Sequence, residues 1–259
     1  FARQCLKVVD SLALEALAKK SPEIERVLAG QSGAATNWAQ HKGLQFSMTS
    51  ACYPTPCAGS QAQVTNYPDH TPQHYVGAGG FGLPEALGYS LNTWYSMLVE
   101  SVDNAALSGH SEVRALTPGA LDSLRPTVAM AERLGFGRAW RLDGGLLPVS
   151  MKLRPDDLLL ATPSRFDPID DVGDVRRLAL GLRMQATTLQ MALVAASVAT
   201  GAVPTPMLLA GMDGRAAVPQ RQALAVRTDR IRAGMALAGP RDRRRRCQRV
   251  DRHRSRCAG

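Results

Sequence analysis

One segment of the chain, from Asp174 to Thr200, restricts the possible folds more than any other. Its apolar residues recur at spacings that place them on one face of a helix. These residues are Leu178, Leu182, Leu189, Ala192, Leu193 and Ala196. Gly201 follows directly, and Pro204 and Pro206 lack the backbone N–H that a continuing helix needs. The pattern predicts one helix from Asp174 to Thr200.

Weaker patterns place shorter elements along the rest of the chain. Apolar residues at helical spacing predict further helices at Leu6–Lys19, from Leu83 to the segment 89–92, at Thr93–Val102 and at Leu124–Leu134. Between Gly30 and Gly82 the residues Gly, Ser, Thr, Asn and Pro accumulate, which is typical of loops with short strands such as Ala62–Val64. The chain therefore combines helices with short strands, and it has no internal repeat.

The formal charge of +9 at pH 7 is concentrated at one end of the chain. From Arg227 onward there are 12 Arg against 3 Asp, whereas residues 1–226 hold 19 basic and 19 acidic side chains. This balance excludes a basic nucleic-acid groove across a folded domain. The Arg-rich end cannot bury enough apolar surface to hold a fold, so we expect residues 233–259 to form a disordered tail.

A membrane-spanning helix is not predicted. The longest apolar stretch, Met191–Val203, is well short of the roughly 20 residues that cross a bilayer. The chain begins with Phe1 rather than Met, and we therefore expect it to be a processed form or a piece of a longer protein.

The cysteines and histidines do not predict a metal site. Five cysteines are an odd number, and Cys52 and Cys57 could form a local disulfide or remain free thiols. The histidines show no ligand spacing. Three possible ligands in the Arg-rich end fit no closed tetrahedral zinc pattern; they are Cys247, His253 and Cys257. We expect no metal and no other cofactor.

Three local patterns occur in an order and spacing that match one enzyme family. The first is the run Glu85–Trp94, in which Ser90, Leu91 and Asn92 form a turn between two predicted helices. The second is Leu-Gly-Phe-Gly at residues 134–137, and the third is Thr-Thr-Leu-Gln at residues 187–190. Together they resemble the Ser-x-Asn, Leu-Gly-Phe-Gly and Thr-x-Leu-Gln segments of the penicillin-binding transpeptidases.

A fourth pattern supplies a candidate lysine. The stretch from Cys5 to Val9 resembles the start of the family's core helix, which carries a Ser-x-x-Lys motif, and Lys7 stands at the lysine position. Gln4 stands where the family has the serine, and no Ser-x-x-Lys occurs in the chain. The family's Lys-Thr-Gly strand also has no counterpart, because the last lysine is Lys152.

The resemblance implies a fold and a chemistry. The fold is α+β, of the penicillin-binding and serine β-lactamase-like type, with a helical subdomain and an incomplete antiparallel sheet in a partial transpeptidase domain at residues 1–232. In the family, the motif serine attacks a D-Ala-D-Ala stem peptide and forms an acyl-enzyme, and β-lactams trap the same serine. By resemblance, Lys7 would act as the base, Ser90 would relay a proton, and Asn92 would orient the lysine and bind the substrate amide. Without the serine and the Lys-Thr-Gly strand, we expect this chain to be inactive.

The resemblance also implies a place and partners, and it leaves alternatives. The parent enzyme would work at the periplasmic face of the bacterial inner membrane, on peptidoglycan stem peptides and with β-lactams as ligands. Two other functions stay open: a non-catalytic protein that binds stem peptides or a cell-wall partner, and nucleic-acid binding through the basic tail. Without the resemblance, Lys7 would be a solvated cation, and Ser90 and Asn92 would cap the next helix. The abrupt Arg-rich end is also what a shifted reading frame in GC-rich DNA would produce.

Overall fold

The computed structural model describes residues 2–41, 45–46, 50–52, 63–66, 80–100, 126–168 and 177–238. Its first helix, α1 (Ala2–Ala18), confirms the helix predicted at Leu6–Lys19 and starts four residues earlier. The amphipathic pattern predicts an exposed polar face, whereas every residue from Leu6 to Glu15 is buried. Helix α1 is therefore the central helix of the fold, and polar side chains are buried with it: Lys7, Asp10, Ser11 and Glu15.

Two short helices follow α1. Helix α2 (Pro22–Leu28) starts after Ser21, whose Oγ accepts a hydrogen bond from the backbone N–H of Ile24 at 3.4 Å. Helix α3 (Ala34–His41) lies where the sequence predicts only loops and short strands. The sequence does not predict this helix, because only two of its side chains are buried, the adjacent Trp38 and Ala39. Two adjacent apolar residues do not show a helical period.

A three-stranded antiparallel sheet comes next. Its strands lie in the order β1 (Gln45–Phe46), β2 (Ser50–Cys52) and β3 (Gln63–Thr65). Strand β3 confirms the strand predicted at Ala62–Val64, shifted by one residue. The proposed partner of Cys52, Cys57, lies outside the described residues, so a bridge between them stays a prediction.

The Ser-x-Asn segment lies between two helices, as predicted. Helix α4 (Leu83–Gly88) has Pro84 in its first turn, and the N–H of Gly82 donates to Glu85 Oε2 at 3.1 Å. Helix α5 (Asn92–Tyr95) continues directly as a π-helix (Ser96–Glu100), whereas the sequence predicts a single α-helix over Thr93–Val102.

Helix α6 (Pro126–Arg133) confirms the helix predicted at Leu124–Leu134. Gly135 and Gly137 follow it with φ values of 97° and 78°, a backbone conformation that glycine adopts at little cost. The chain then runs in loops to β4 (Arg165–Phe166).

The prediction of one helix from Asp174 to Thr200 is wrong. The described residues 177–179 are helical, but the helix stops there, and Gly181 takes a left-handed φ of 75°. Strand β5 (Met184–Gln185) then pairs antiparallel with β4. The helical spacing of the leucines was misleading here, because a left-handed glycine and pairing with a distant strand turn the chain away from a helix.

The second half of that segment is helical. Helix α7 (Thr188–Thr200) starts after Thr187, whose Oγ1 accepts a hydrogen bond from the N–H of Gln190 at 3.2 Å. It ends at Gly201 with a φ of 71°, as the sequence predicts.

The described chain ends with small strands and a helix. Strand β6 (Ala202–Pro204) pairs with β9 (Arg221–Ala223), and β7 (Gly211–Met212) forms a hairpin with β8 (Arg215–Ala216). Within the described residues, every sheet is antiparallel and has two or three strands, which confirms an α+β chain with small sheets. Helix α8 covers 229–238 and runs across residue 232. Residues 233–238, which the sequence places in a disordered tail, therefore belong to this helix. Residues 239–259 lie outside the described part, so disorder there stays a prediction.

Candidate functional site

Lys7 and the Ser-x-Asn turn meet in space, although 83 residues separate Lys7 from Ser90. The Nζ atom of Lys7 donates to the carbonyl oxygen of Ser90 at 2.9 Å and lies 3.0 Å from Ser90 Oγ. It also donates to Oδ1 of Asn92 at 2.8 Å. The structure thus brings together all three residues that the sequence predicts as a site.

The lysine of this cluster is buried. Lys7 is only 1% exposed, because it lies on the central helix α1. Lysine side chains are almost never fully buried unless they are paired. The interpretation of Lys7 as a solvated surface cation is therefore wrong. Ser90 and Asn92 are partly exposed, so the cluster has a buried lysine and a polar edge that solvent reaches.

The turn holds Ser90 in an unusual backbone conformation. Its φ is 55°, which costs an L-residue roughly 1–2 kcal/mol relative to the right-handed region. Such a residue persists where its surroundings fix it. Here the N–H of Ser90 donates to the carbonyl of Leu87 at 3.1 Å, its own carbonyl accepts from Lys7, and the next residue, Leu91, is fully buried.

Without the family resemblance, the sequence predicts that Ser90 and Asn92 cap the helix that follows them, which is α5. The residue before α5 is Leu91, and no side chain from the turn caps the helix. The capping bonds come from Asn66, just after β3, whose Oδ1 accepts from the N–H of Thr93 at 3.1 Å. The cap interpretation is therefore wrong for Ser90 and Asn92, which face the lysine instead.

Strand β3 also contacts the site. The Nδ2 atom of Asn92 donates to the backbone carbonyl of Thr65 at 3.2 Å. Asn92 is thus held from both ends of its amide, by Lys7 on the oxygen and by Thr65 on the nitrogen. One hydrogen of the Nδ2 group remains beyond the Thr65 bond, because a side-chain amide carries two N–H donors.

Three further polar residues belong to the cluster, and the sequence did not single them out. The hydroxyl of Ser11 donates to the carbonyl of Lys7 at 2.7 Å, so the hydroxyl of Tyr95 must donate to Ser11 Oγ across 2.8 Å. Tyr95 is fully buried, and its ring centroid lies 5.2 Å from Lys7 Nζ. Burial raises the pKa of Tyr95 well above its usual range, and the nearby carboxylate of Asp10 raises it further. No sequence motif marks these residues. Asp10 and Ser11 stand at polar positions of the pattern that predicts α1, where exposed side chains are expected.

The other two motifs have a structural role in the core. Nε2 of Gln190, from the Thr-Thr-Leu-Gln run, donates to the carbonyl of Leu134 at 2.8 Å in the core. Leu134 opens the Leu-Gly-Phe-Gly run, so the two motifs contact each other directly. A Cβ atom at Gly135 would lie 2.3 Å from the ring of Trp140, which explains why a glycine is needed there.

The described residues provide no metal site and no membrane-spanning helix. No cluster of three or more His, Cys, Asp or Glu side chains among them could hold a metal ion. No helix in the described ranges is both long and apolar enough to cross a bilayer. Gln4 lies on α1, one turn before Lys7, at the position where the resembled family has its serine.

Comparison with known proteins gives a structural likeness only. No protein-family model matches the chain, and no curated protein sequence matches it. In fold, the chain is similar to penicillin-binding protein A from M. tuberculosis. For the imipenem acyl-enzyme complex of that protein the identity is 22% and the TM-score 0.49, and the match covers 90% of this chain and 41% of that one. For the ceftriaxone acyl-enzyme complex the values are 23%, 0.47, 90% and 41%. The chain thus spans about two fifths of the length of those proteins.

Proposed function

We propose that this chain is part of a penicillin-binding D,D-transpeptidase module in which the acyl-serine reaction has been lost. The observation that carries the proposal is the contact of Lys7 Nζ with both Ser90 and Asn92. The sequence motifs already predict that these residues form one site. Lys7 and Ser90 are 83 positions apart in the chain, so their contact is long-range and does not come from local chain proximity.

The loss of the reaction follows from the residue at position 4. A serine hydroxyl can attack a carbonyl once a base takes its proton. The amide of Gln4 has no hydroxyl to offer, so no acyl-enzyme can form at this position. No Lys-Thr-Gly occurs in residues 1–259; in the family that strand supplies part of the oxyanion hole, where one donor contributes about 2.7–4 kcal/mol to the transition state. The absence of the serine alone should abolish turnover in this chain.

The test is labelling of the purified chain with a fluorescent penicillin, followed by denaturing electrophoresis. We expect no covalent band in the wild type or in Ser90→Ala, together with a cooperative thermal transition that shows the chain to be folded. A stable band would mean that another nucleophile is acylated, and peptide mapping would identify it. A band would refute the loss of acylation.

A second candidate is a non-catalytic protein that still binds stem peptides. It is favoured by the partial exposure of Asn92 and by the N–H of its amide that the Thr65 bond leaves over. Calorimetric titration with an acetylated peptide that ends in D-Ala-D-Ala would test it. Saturable binding that is lost in Asn92→Ala and kept in Asn37→Ala would support this function. Asn37 serves as the control because it is an exposed asparagine on α3. Equal binding by both variants would exclude Asn92 as a contact.

The proposal carries a location and partners with it. The module would work at the periplasmic face of the bacterial inner membrane, with peptidoglycan stem peptides and β-lactams as its ligands. Because the chain spans about two fifths of the similar solved proteins, the activity of a whole enzyme belongs to this proposal as well. Nucleic-acid binding by the Arg-rich tail depends on residues 239–259, which lie outside the described part, and we propose no specific nucleic-acid partner.

A further inference from the structure

We infer that Lys7 is held as a permanent ammonium ion, balanced by the buried carboxylate of Asp10, and that it fastens α1 to the Ser-x-Asn turn instead of acting as a base. The proposed function requires only that the motif serine is missing. The inference goes further, because it gives the remaining lysine a different role.

The hydrogen bonds of Lys7 are the first step. The carbonyl of Ser90 and Oδ1 of Asn92 can only accept, so Lys7 donates to both. The hydroxyl of Ser90 can either accept or donate. An ammonium ion would use three N–H donors here, and a neutral amine would use two donors and its lone pair. Hydrogen bonding alone therefore fits both forms, and the surrounding charges decide between them.

The decisive charge is Asp10. Its side chain is completely buried, and it lies one helical turn after Lys7 on α1, where residues three apart are neighbours. The charge of Asp10 raises the pKa of Tyr95, and the centroid of the Tyr95 ring lies 5.2 Å from Lys7 Nζ. Asp10 therefore shares one buried space with the lysine and the ring.

Charge balance in that space favours the ammonium form. An isolated buried carboxylate is strongly unfavourable, and a nearby ammonium ion offsets that cost. The face of the Tyr95 ring adds a favourable cation–π contact. Among the described residues, Tyr95 from α5 contacts Lys7 with its ring, and Asp10 is the buried acidic residue three positions after Lys7 on α1. Burial raises the pKa of Tyr95, so the tyrosine stays neutral and does not compete for the charge.

This charge state has a consequence for Ser90. Its Oγ lies 3.0 Å from Lys7 Nζ, which is close enough for a serine–lysine pair to react as nucleophile and base. An ammonium ion has no lone pair and cannot take the hydroxyl proton. Ser90 therefore remains an inert hydroxyl, although its position resembles that of an activated one.

The direct test is the protonation state of Lys7 in the full chain, measured by NMR with ¹⁵N-labelled lysine and assigned with Lys7→Met. We expect the ammonium signal to persist at least to about pH 9.5, near the range in which a free lysine with a pKa of about 10.4 stays charged. In Asp10→Asn, the loss of the ammonium signal should move to lower pH. A neutral Lys7 at about pH 8 in the wild type would overturn the inference.

A double-mutant cycle tests the pairing by stability. Removing one partner leaves a buried charge, so Lys7→Met and Asp10→Asn should each lower Tm by roughly 10 °C. The double variant should lose clearly less than the two separate losses added together. Lys152→Met, at an exposed lysine, is the control and should leave Tm unchanged. Additive losses would overturn the pairing.

The two proposals can fail separately. A penicillin band that maps to a residue other than Ser90 would refute only the loss of acylation. A neutral Lys7, or additive losses in the double-mutant cycle, would refute only the inference that Lys7 is an ammonium ion balanced by Asp10.

Discussion

Arg230 forms a bidentate ion pair with Glu15, although 215 residues separate them. Its Nε donates to Oε1 at 2.7 Å and its Nη2 donates to Oε2 at 2.9 Å. The Glu15 side chain is 0% exposed and that of Arg230 10%. The same guanidinium also donates to Glu25 on α2. The last described helix, α8, is thus fastened to the central helix through one side chain.

We expect Arg230→Met to be strongly destabilising. Removing one partner of a buried pair leaves the other charge without compensation and typically costs about 3–5 kcal/mol of unfolding free energy. Arg227→Met is the matched control: its side chain is 51% exposed, and an exposed pair contributes about 0–1 kcal/mol. Urea unfolding of both variants measures the difference. Equal losses would show that burial of the Arg230 pair does not matter.

The ion pairs also predict a dependence of stability on pH. Two guanidinium hydrogen bonds from Arg141 to Asp143, at 3.3 and 3.0 Å, hold the pKa of this carboxyl below its usual value, and Arg230 lowers the pKa of Glu25 in the same way. A carboxyl with a lowered pKa in the folded state stabilises the fold above its unfolded pKa and loses this effect as pH falls through the folded pKa.

Thermal melting at a series of pH values tests this dependence. Tm should be nearly constant at pH values above about 5. At pH values under about 4, where Asp and Glu side chains of the unfolded chain begin to bind protons, Tm should decrease. Asp143→Asn should melt lower at pH 7, and its Tm should fall less steeply in acid than that of the wild type. Asp156→Asn, at an exposed position, should follow the wild-type curve. A Tm that rises in acid would contradict the prediction.

Local signals made part of the fold and site predictable from the sequence. Helix α1 was found by its apolar period, and α4 by Pro84 and the leucines around it. The sequence predicts the grouping of Lys7, Ser90 and Asn92 through the resemblance of its short patterns to the motifs of one family, although no protein-family model matches the chain. Their roles in chemistry remain proposals.

The remaining features depend on contacts between distant residues, which a local pattern cannot show. The break at Gly181 exists because β5 pairs with β4, almost 20 residues earlier, so the apolar period alone predicted a helix there. The role of Tyr95 depends on Ser11, which lies 84 residues before it. Buried polar residues on α1 read as an exposed face, because their partners come from other helices.

We next expect Gln190→Met to destabilise the fold more than its small change in shape implies. Its Nε2 donates to the carbonyl of Leu134 at 2.8 Å, and Gln190 is 2% exposed. Methionine fills a similar volume but leaves the carbonyl without its donor, which costs about 1–3 kcal/mol. Gln222→Met on β9, where the side chain is exposed, should change the unfolding free energy by less than about 0.5 kcal/mol. Similar values from urea unfolding would mean that the carbonyl finds another partner.

The Leu-Gly-Phe-Gly run allows backbone strain to be separated from steric conflict by two matched variants. Gly135 and Gly137 both have positive φ, so alanine at either position costs roughly 1–2 kcal/mol in backbone strain. At Gly137 a Cβ atom would meet nothing within 4 Å, whereas at Gly135 it would lie 2.3 Å from the Trp140 ring. Trp140 packs with Leu142 and Leu193 in a small cluster separate from the main core, and it cannot move without opening that cluster.

Gly137→Ala should therefore lose only the strain energy, and Gly135→Ala should lose at least about 1–3 kcal/mol more through overpacking. Urea unfolding of the two variants, with tryptophan fluorescence as the signal, measures both effects, and equal losses would show that the indole ring shifts freely.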